Sequence, residues 1–289
     1  MNSKIKGTIC GVFAAISYGM NPLGALNLYQ EGLNVNSMIF YRYGLATTIL
    51  ALIMLAQKKS FAITRREFAV LSVLGVLMVV SSLTLFGSFN FMDAGIASTL
   101  LFVYPVMVAV MMAIFFKEKV TSITVISIAL ALGGISLLYK GGDGATLSTV
   151  GVLLVMASSL TYAVYIIVVN KSALIMSSVK LTFYVLLIGT VILIAYSFVG
   201  EDTRIQPLTT VSMWVYAMVL AVFPTIISLI LMVIAVHNVG STPTAVMGAL
   251  EPITAVCIGI FVFGEAFTLR LGIGIVLILT AVILIVAGK

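Results

Sequence analysis

Ten runs of about twenty mostly apolar residues follow one another along the chain, with only short breaks between them. They cover approximately 7–28, 36–56, 68–91, 94–116, 120–139, 147–169, 179–199, 211–236, 239–263 and 268–287. A helix needs about 20 residues to cross a hydrocarbon layer. Inside lipid, only helices and closed barrels satisfy their own backbone. The expected fold class is therefore an all-α membrane protein with ten transmembrane helices in one domain, 1–289. No break is long enough for a soluble module. Charge supports this, because 8% of residues are Asp, Glu, Lys or Arg, where a soluble domain carries about 25%. The first partner implied is the lipid bilayer.

The net charge of +6 does not point to nucleic acid. Its basic residues punctuate the apolar runs rather than forming a patch with stacking aromatics. With ten helices both ends lie on one side. That side collects Lys4, Lys6, Lys58, Lys59, Arg65, Arg66, Lys117, Lys119, Lys171, Lys180 and Lys289, whereas the other has Lys140, Arg204 and Arg270. By the positive-inside rule both termini are cytoplasmic, and the expected location is the inner membrane. Lys4 and Lys6 precede a run containing Asn21, Pro22 and Asn27, which reads as a first membrane helix rather than a signal peptide.

Internal similarity divides the chain. L-F-V-Y-P-V-M-V-A-V-M-M-A-I-F-F-K-E (101–118) parallels G-A-L-E-P-I-T-A-V-C-I-G-I-F-V-F-G-E (248–265). Pro105 precedes Glu118, and Pro252 precedes Glu265, by the same interval. Gly7 and Tyr18 fall in frame with Gly151 and Tyr162. This gives a first five-helix repeat over 1–140 and a second over 141–289. An odd number of helices per repeat inverts one against the other. Inverted repeats build many secondary transporters, with substrate held near the midplane between the halves.

The two Pro-to-Glu stretches, the ten helices and the closing L-E-P…F-G-E pattern resemble the drug/metabolite transporter superfamily, in particular its EamA-like family. The resemblance covers essentially the whole chain. It implies a single bundle with helices 1–4 and 6–9 around a cavity and helices 5 and 10 at the periphery. It also implies export of small metabolites, often amino acids, without ATP. The halves differ at one place, since Tyr104 stands before the first proline where Glu251 stands before the second.

Glu251 is the leading site residue. Counted from Val239 it lies ~18 Å into its helix, near the centre of a ~30 Å core, where an acidic group costs ~2.5–3.5 kcal/mol to insert. Such a group pairs, meets water or takes up a proton. Thr244, Gly248, Glu251 and Ala255 share one helical face. Pro252 cannot donate to the Gly248 carbonyl, so a bent helix with free carbonyls is expected there. A structural role, tying helix 9 to a neighbour, is the competing reading. Arg42 lies ~9 Å into helix 2. It can receive a substrate carboxylate, snorkel outward, or pair with Glu251 or a loop acid. Ser17, Asn21, Tyr104, Tyr162 and Tyr165 are the remaining candidate substrate-binding residues, each with a backbone-bonding role as the rival. Gly7, Gly11 and Ala15, and likewise Ala129 and Gly133, read as helix contacts. Glu118 and Glu265 read as solvated end charges or loop caps.

Neither cofactor nor metal is expected. There is one histidine, His237, and Cys10 and Cys257 stand apart in apolar runs. No phosphate-binding G-x-x-x-x-G-K-[ST] occurs, and neither G-x-S-x-G nor H-E-x-x-H, which leaves an intramembrane enzyme as a remote alternative. Nothing resembles a channel filter. The leading expectation is a secondary transporter of amino acids or similar small amphipathic molecules, either proton-coupled or uncoupled, as a monomer or weak homodimer. The alternative is an efflux carrier for drugs or hydrophobic cations.

Overall fold

The computed structural model describes residues 3–117, 122–139, 147–172, 174, 176–239, 247–248 and 250–287. Every regular element among them is helical. The first span is α1 (Ser3–Gly19) followed by α2 (Asn21–Gln30). Then come α3 (Val35–Ala56), α4 (Arg65–Ser88), a fourth span split into α5 (Ala94–Leu101) and α6 (Tyr104–Phe116), α7 (Ser122–Tyr139), α8 (Thr149–Lys171) and α9 (Ser178–Tyr196). The eighth span is α10 (Val211–Leu220), a π-helical stretch (Ala221–Ile227) and α11 (Ser228–Val239); α12 (Leu250–Phe263) and α13 (Leu269–Ala287) complete the set. Side-chain oxygens of Asn34, Thr64, Ser148, Ser177 and Thr210 cap the starts of five of these helices, accepting backbone N–H groups that have no partner within the helix.

Among the described residues, 7 helices are long and apolar enough to cross a membrane. Three shorter apolar helices, Val125–Gly134, Leu250–Phe263 and Leu269–Ala281, fall at the fifth, ninth and tenth expected positions. The outward faces carry large apolar side chains such as Leu52, Phe115, Leu153, Val191 and Phe261, each more than half exposed. In water such a belt would be a liability; against lipid tails it is the expected surface. The ninth span, expected over 239–263, is described as a helix only from Leu250. Thr244 and Glu118 lie outside the described residues.

Packing follows the repeat. Among the larger helix contacts are the pairs α1 with α11, α4 with α8, α3 with α9, α5 with α12 and α7 with α13. Exchanging the first span with the sixth and the third with the eighth turns the α1–α11 contact into α8–α4 and leaves the other three pairs unchanged. The peripheral α7–α13 pair holds the fifth and tenth spans. The glycine run of α1 works as a contact face: a Cβ on Gly7 would sit 2.7 Å from Asn238 Cβ, and one on Gly11 2.2 Å from Met247 Cε. In α7 the close residue is Gly134, whose added Cβ would meet Ile278 at 2.7 Å. Gly133 has nothing within 4 Å of that position, because one residue along a helix turns the side chain through about 100°.

Prolines interrupt the backbone bonding of three spans, and each carbonyl is satisfied differently. Proline removes the N–H that would bond the carbonyl four residues back. For Pro105 that carbonyl is Leu101, which accepts the Ser159 hydroxyl from α8 at 3.1 Å. For Pro224 it is Leu220, which accepts the Thr225 hydroxyl at 2.8 Å. For Pro252 it is Gly248, which accepts the Glu251 N–H at 2.9 Å. The expectation that Pro252 leaves the Gly248 carbonyl free is thus corrected, since the tightened turn uses it. In the first span Pro22 lies in the opening turn of α2, where a missing N–H is harmless.

Candidate functional site

The break between α1 and α2 meets the start of α12. A Cβ on Gly19 would lie 2.5 Å from Thr254 Cβ and 2.6 Å from the Glu251 carbonyl oxygen, so only glycine lets the two backbones approach this closely. Beside that contact is a cavity. Its polar lining is Tyr18, Asn21, Ser98 and Glu251, and Gly19, Leu85, Leu101 and Ala255 complete the wall. It has room for about one water molecule, so a metabolite enters only if the surrounding helices separate.

Two of the sequence-derived residues, Glu251 and Asn21, come together in this cavity. Ser17, one turn earlier on α1, is buried, and its carbonyl accepts the Met20 N–H at 3.3 Å across the helix break. Tyr104, Tyr162 and Tyr165 form an aromatic ladder between α6 and α8. The first two rings meet edge-on at 4.8 Å, and the second pair stacks at 5.9 Å with planes 6° apart. The ladder is not part of the cavity wall, although the Tyr18, Tyr104 and Tyr162 hydroxyls all lie within electrostatic range of the Glu251 carboxyl. Tyr104 and Glu251, which occupy equivalent positions in the two halves, therefore face the same central region.

Arg42 takes neither the outward route nor a carboxylate partner. It is 4% exposed. Its Nε donates to Thr225 Oγ1 at 2.7 Å and its Nη2 to the Pro224 carbonyl at 3.5 Å. Its guanidinium carbon lies 5.2 Å from the Phe86 ring centroid. The one ion pair among the described residues is Arg204 with Glu201. The π-helical stretch around Pro224 offers the Thr225 hydroxyl and the Pro224 carbonyl as acceptors, and a guanidinium with five N–H groups is suited to them.

At the far end of α12, Glu265 caps a neighbouring helix. Its carboxylate accepts the Ala94 N–H at 2.8 Å and the Gly95 N–H at 3.1 Å, closing the start of α5. Gly259 makes the space, since a Cβ there would lie 2.1 Å from Glu265 Oε2. Burial pushes the Glu265 carboxyl above the ordinary range, the two N–H bonds pull against that, and nearby Asp93 adds to the rise. This is the loop-cap reading of Glu265, now across two spans.

The family model for the EamA-like transporter family matches residues 5–140 and, a second time, residues 149–287. The chain belongs to the EamA-like transporter family. Among its relatives, an uncharacterized transporter YvbV of Bacillus subtilis is 25% identical over 204 residues, which cover 68% of this chain and 64% of YvbV, a little under two thirds of that protein. An uncharacterized transporter of Archaeoglobus fulgidus is 28% identical over 192 residues, 66% of this chain and 67% of the relative. The uncharacterized transporter YetK of Bacillus subtilis is 22% identical across 99% of this chain and 88% of its own. A crystal structure matches with a TM-score of 0.71 at 14% identity, covering 98% of this chain and 96% of that one; at that identity the likeness concerns the fold. This EamA-like protein is thus a multi-pass membrane protein of a transporter family.

Sequence reasoning passed over two polar wall residues. Tyr18 entered only as a mark of the repeat, although its spacing of three from Asn21 places both near the same helix end. Ser98 had no signal of its own. It lies in α5, one turn before the fourth span breaks at Phe102 and Val103.

Proposed function

We propose that this EamA-like protein is a secondary carrier that exports a small amphipathic metabolite across the inner membrane by alternating access, with both termini cytoplasmic. The halves 1–140 and 141–289 act as the inverted repeats, and the route runs between them past Glu251. One observation carries this reading: the cavity sits where the broken first span meets the start of α12, and it presents a carboxyl deep in an apolar bundle. Asn21 and Glu251 contact the substrate in its wall. Arg42, Ser17, Tyr104, Tyr162 and Tyr165 surround the route, and Tyr104 stands across from Glu251. The carrier works as a monomer or weak homodimer and needs neither cofactor nor nucleic acid. A second reading, efflux of hydrophobic cations, draws on the tyrosine ladder, because aromatic faces beside a carboxyl attract cations.

Proteoliposomes loaded with a mixed pool of amino acids and other small metabolites test the first reading. The wild type is expected to release one compound selectively, and Glu251→Gln to release it at least about tenfold more slowly, the loss of ~1.4 kcal/mol or more. If a proton moves with the substrate, an imposed pH gradient changes the wild-type rate and not that of the variant. Selective release that ignores both the gradient and the substitution would remove Glu251 from the transport step. No release of any compound would remove the metabolite reading.

A further inference from the structure

The polar groups of the cavity share an unusual property. Tyr18, Asn21, Ser98 and Glu251 all line it, and among the described residues none of the four side chains makes a hydrogen bond with the protein. Asn21 is the sharpest case. It is 4% exposed, and its Oδ1 is buried without a donor. A buried acceptor left unpaired costs about 1–3 kcal/mol. Buried polar groups in a finished structure are nearly always satisfied, so an unsatisfied one beside a cavity points to a ligand.

The inventory of donors and acceptors narrows that ligand. Glu251, when ionised, only accepts, and it offers two oxygens. Asn21 Oδ1 accepts as well. Tyr18, Ser98 and the Asn21 amide nitrogen can donate, but the buried atom left without a partner is an acceptor, and the one formal charge among the four side chains is negative. A positive ligand offsets that charge in an apolar bundle, where an unpaired carboxylate is costly. Charge alone is not enough, because a fully alkylated ammonium neutralises Glu251 but has no N–H to give Asn21. Tight walls of Gly19, Ala255 and Leu101 also favour a small head over one that carries methyl groups.

Building on the carrier reading above, we propose that the cavity binds the N–H-bearing ammonium head of its substrate, held jointly by the Glu251 carboxylate and Asn21 Oδ1. Asn21 is the residue that separates such heads from quaternary ones. Glu251 supplies attraction to any cation, and Asn21 supplies the count of N–H groups. This sets the protein apart from a carrier of lipophilic quaternary cations, for which an unpaired amide oxygen would be a penalty. A site built to receive a donor rejects the analogue that lacks it more strongly than an apolar pocket rejects an extra methyl.

The test uses one carbon skeleton with its donors removed stepwise. Proteoliposomes of the full chain are loaded with phenethylamine and its N-methyl, N,N-dimethyl and N,N,N-trimethyl derivatives, and release in excess of that from protein-free liposomes is followed at neutral pH. The wild type should release the primary amine at least about tenfold faster than the trimethyl compound, with the others in order between. Asn21→Ala should bring the four rates within about threefold of one another, while Asn21→Asp, which keeps acceptor oxygens, should preserve the order. Should Asn21→Ala fail to fold, the wild-type series and Asn21→Asp decide the matter. Equal rates for all four in the wild type, or a faster trimethyl compound, overturn the proposal. Release of the mixed metabolite pool with none of the amines overturns it while leaving the carrier reading in place, and release of neither overturns both.

Discussion

The contacts α1–α11 and α4–α8 occupy equivalent places in the two halves but are held in different ways. In α4–α8 both helices run unbroken, from Arg65 to Ser88 and from Thr149 to Lys171. Ser81 and Ser158 tie them: Ser158 Oγ donates to the Ser81 carbonyl at 2.8 Å, and the two hydroxyls lie 3.0 Å apart. In α1–α11 both partners belong to broken spans, one at Met20 and the other through the π-helical stretch at Pro224. The π-helical stretch is sealed by Thr225, which also ties it to Arg42 of α3. The cavity takes the polar Tyr18 and Asn21 from the broken first span and only the apolar Leu85 from α4. A continuous helix consumes its own backbone groups and offers little to a ligand, whereas a broken one exposes polar atoms and lets chains approach. A symmetric framework thus has an asymmetric polar lining at its cavity.

Thr225 is where that comparison breaks most easily. Its hydroxyl both donates to Leu220 and accepts from Arg42, so Thr225→Val leaves a buried carbonyl and a buried guanidinium N–H unpaired at once. The expected loss is about 2–5 kcal/mol, seen as a lower unfolding midpoint in lipid nanodiscs. Arg42→Met alone should cost less, because Thr225 keeps its bond to Leu220 and a buried charge is removed. In the Arg42→Met background, Thr225→Val should lose only the Leu220 share, roughly half its effect in the wild type. Strict additivity of the two substitutions would show that Arg42 and Thr225 do not act as one unit.

The serine pair should respond far more weakly. Ser81→Ala or Ser158→Ala removes a polar bond in a contact that apolar packing already holds, at about 0.6 kcal/mol each. Neither touches the cavity, so efflux of the substrate released by the wild type should not change. A serine variant that abolished efflux while folding normally would mean that transport needs the straight pair as much as the broken one.

The sequence made the ten spans legible because apolar length against polar break is a strong, local signal. It made Glu251 legible for the same reason, since a charge within such a run has few explanations. What it did not show is which groups stay unpaired. From the sequence Arg42 reaches outward or toward a carboxylate, yet it is satisfied by Thr225 and Pro224, far away in the chain. That partnership depends on the π-helical stretch, a feature of how Pro224 is absorbed and not of any spacing. Ser98 and Tyr18 lie beside helix breaks whose positions a periodic pattern does not record. Proline tells where a helix is weakened; the neighbour that fills the weakness is a matter of tertiary packing.

The smallest expected effect lies at the outer end of the broken side. Thr210 Oγ1 donates to Glu31 Oε2 at 2.5 Å, joining the end of α2 to the cap of α10. Hydrogen bonds from Ser212 and Thr210 hold the Glu31 carboxyl below the ordinary range. The sign follows from linkage: a lowered carboxylate pKa means a contribution fully present above the unfolded value, about 4.3, and lost as pH falls through the folded one. The tie therefore loosens in acid, whereas the Ser81–Ser158 pair has no titratable atom and does not. Trp214, the chain's one tryptophan, sits in the first turns of α10, its ring 6.0 Å from Tyr41, and reports on this end. Its emission in the wild type should shift as the solution is taken into acid below the usual carboxylate range, and Glu31→Gln, which does not titrate, should abolish that shift. An identical acid transition in both proteins would place the pH dependence elsewhere and leave the Glu31 contact as a passive surface bond.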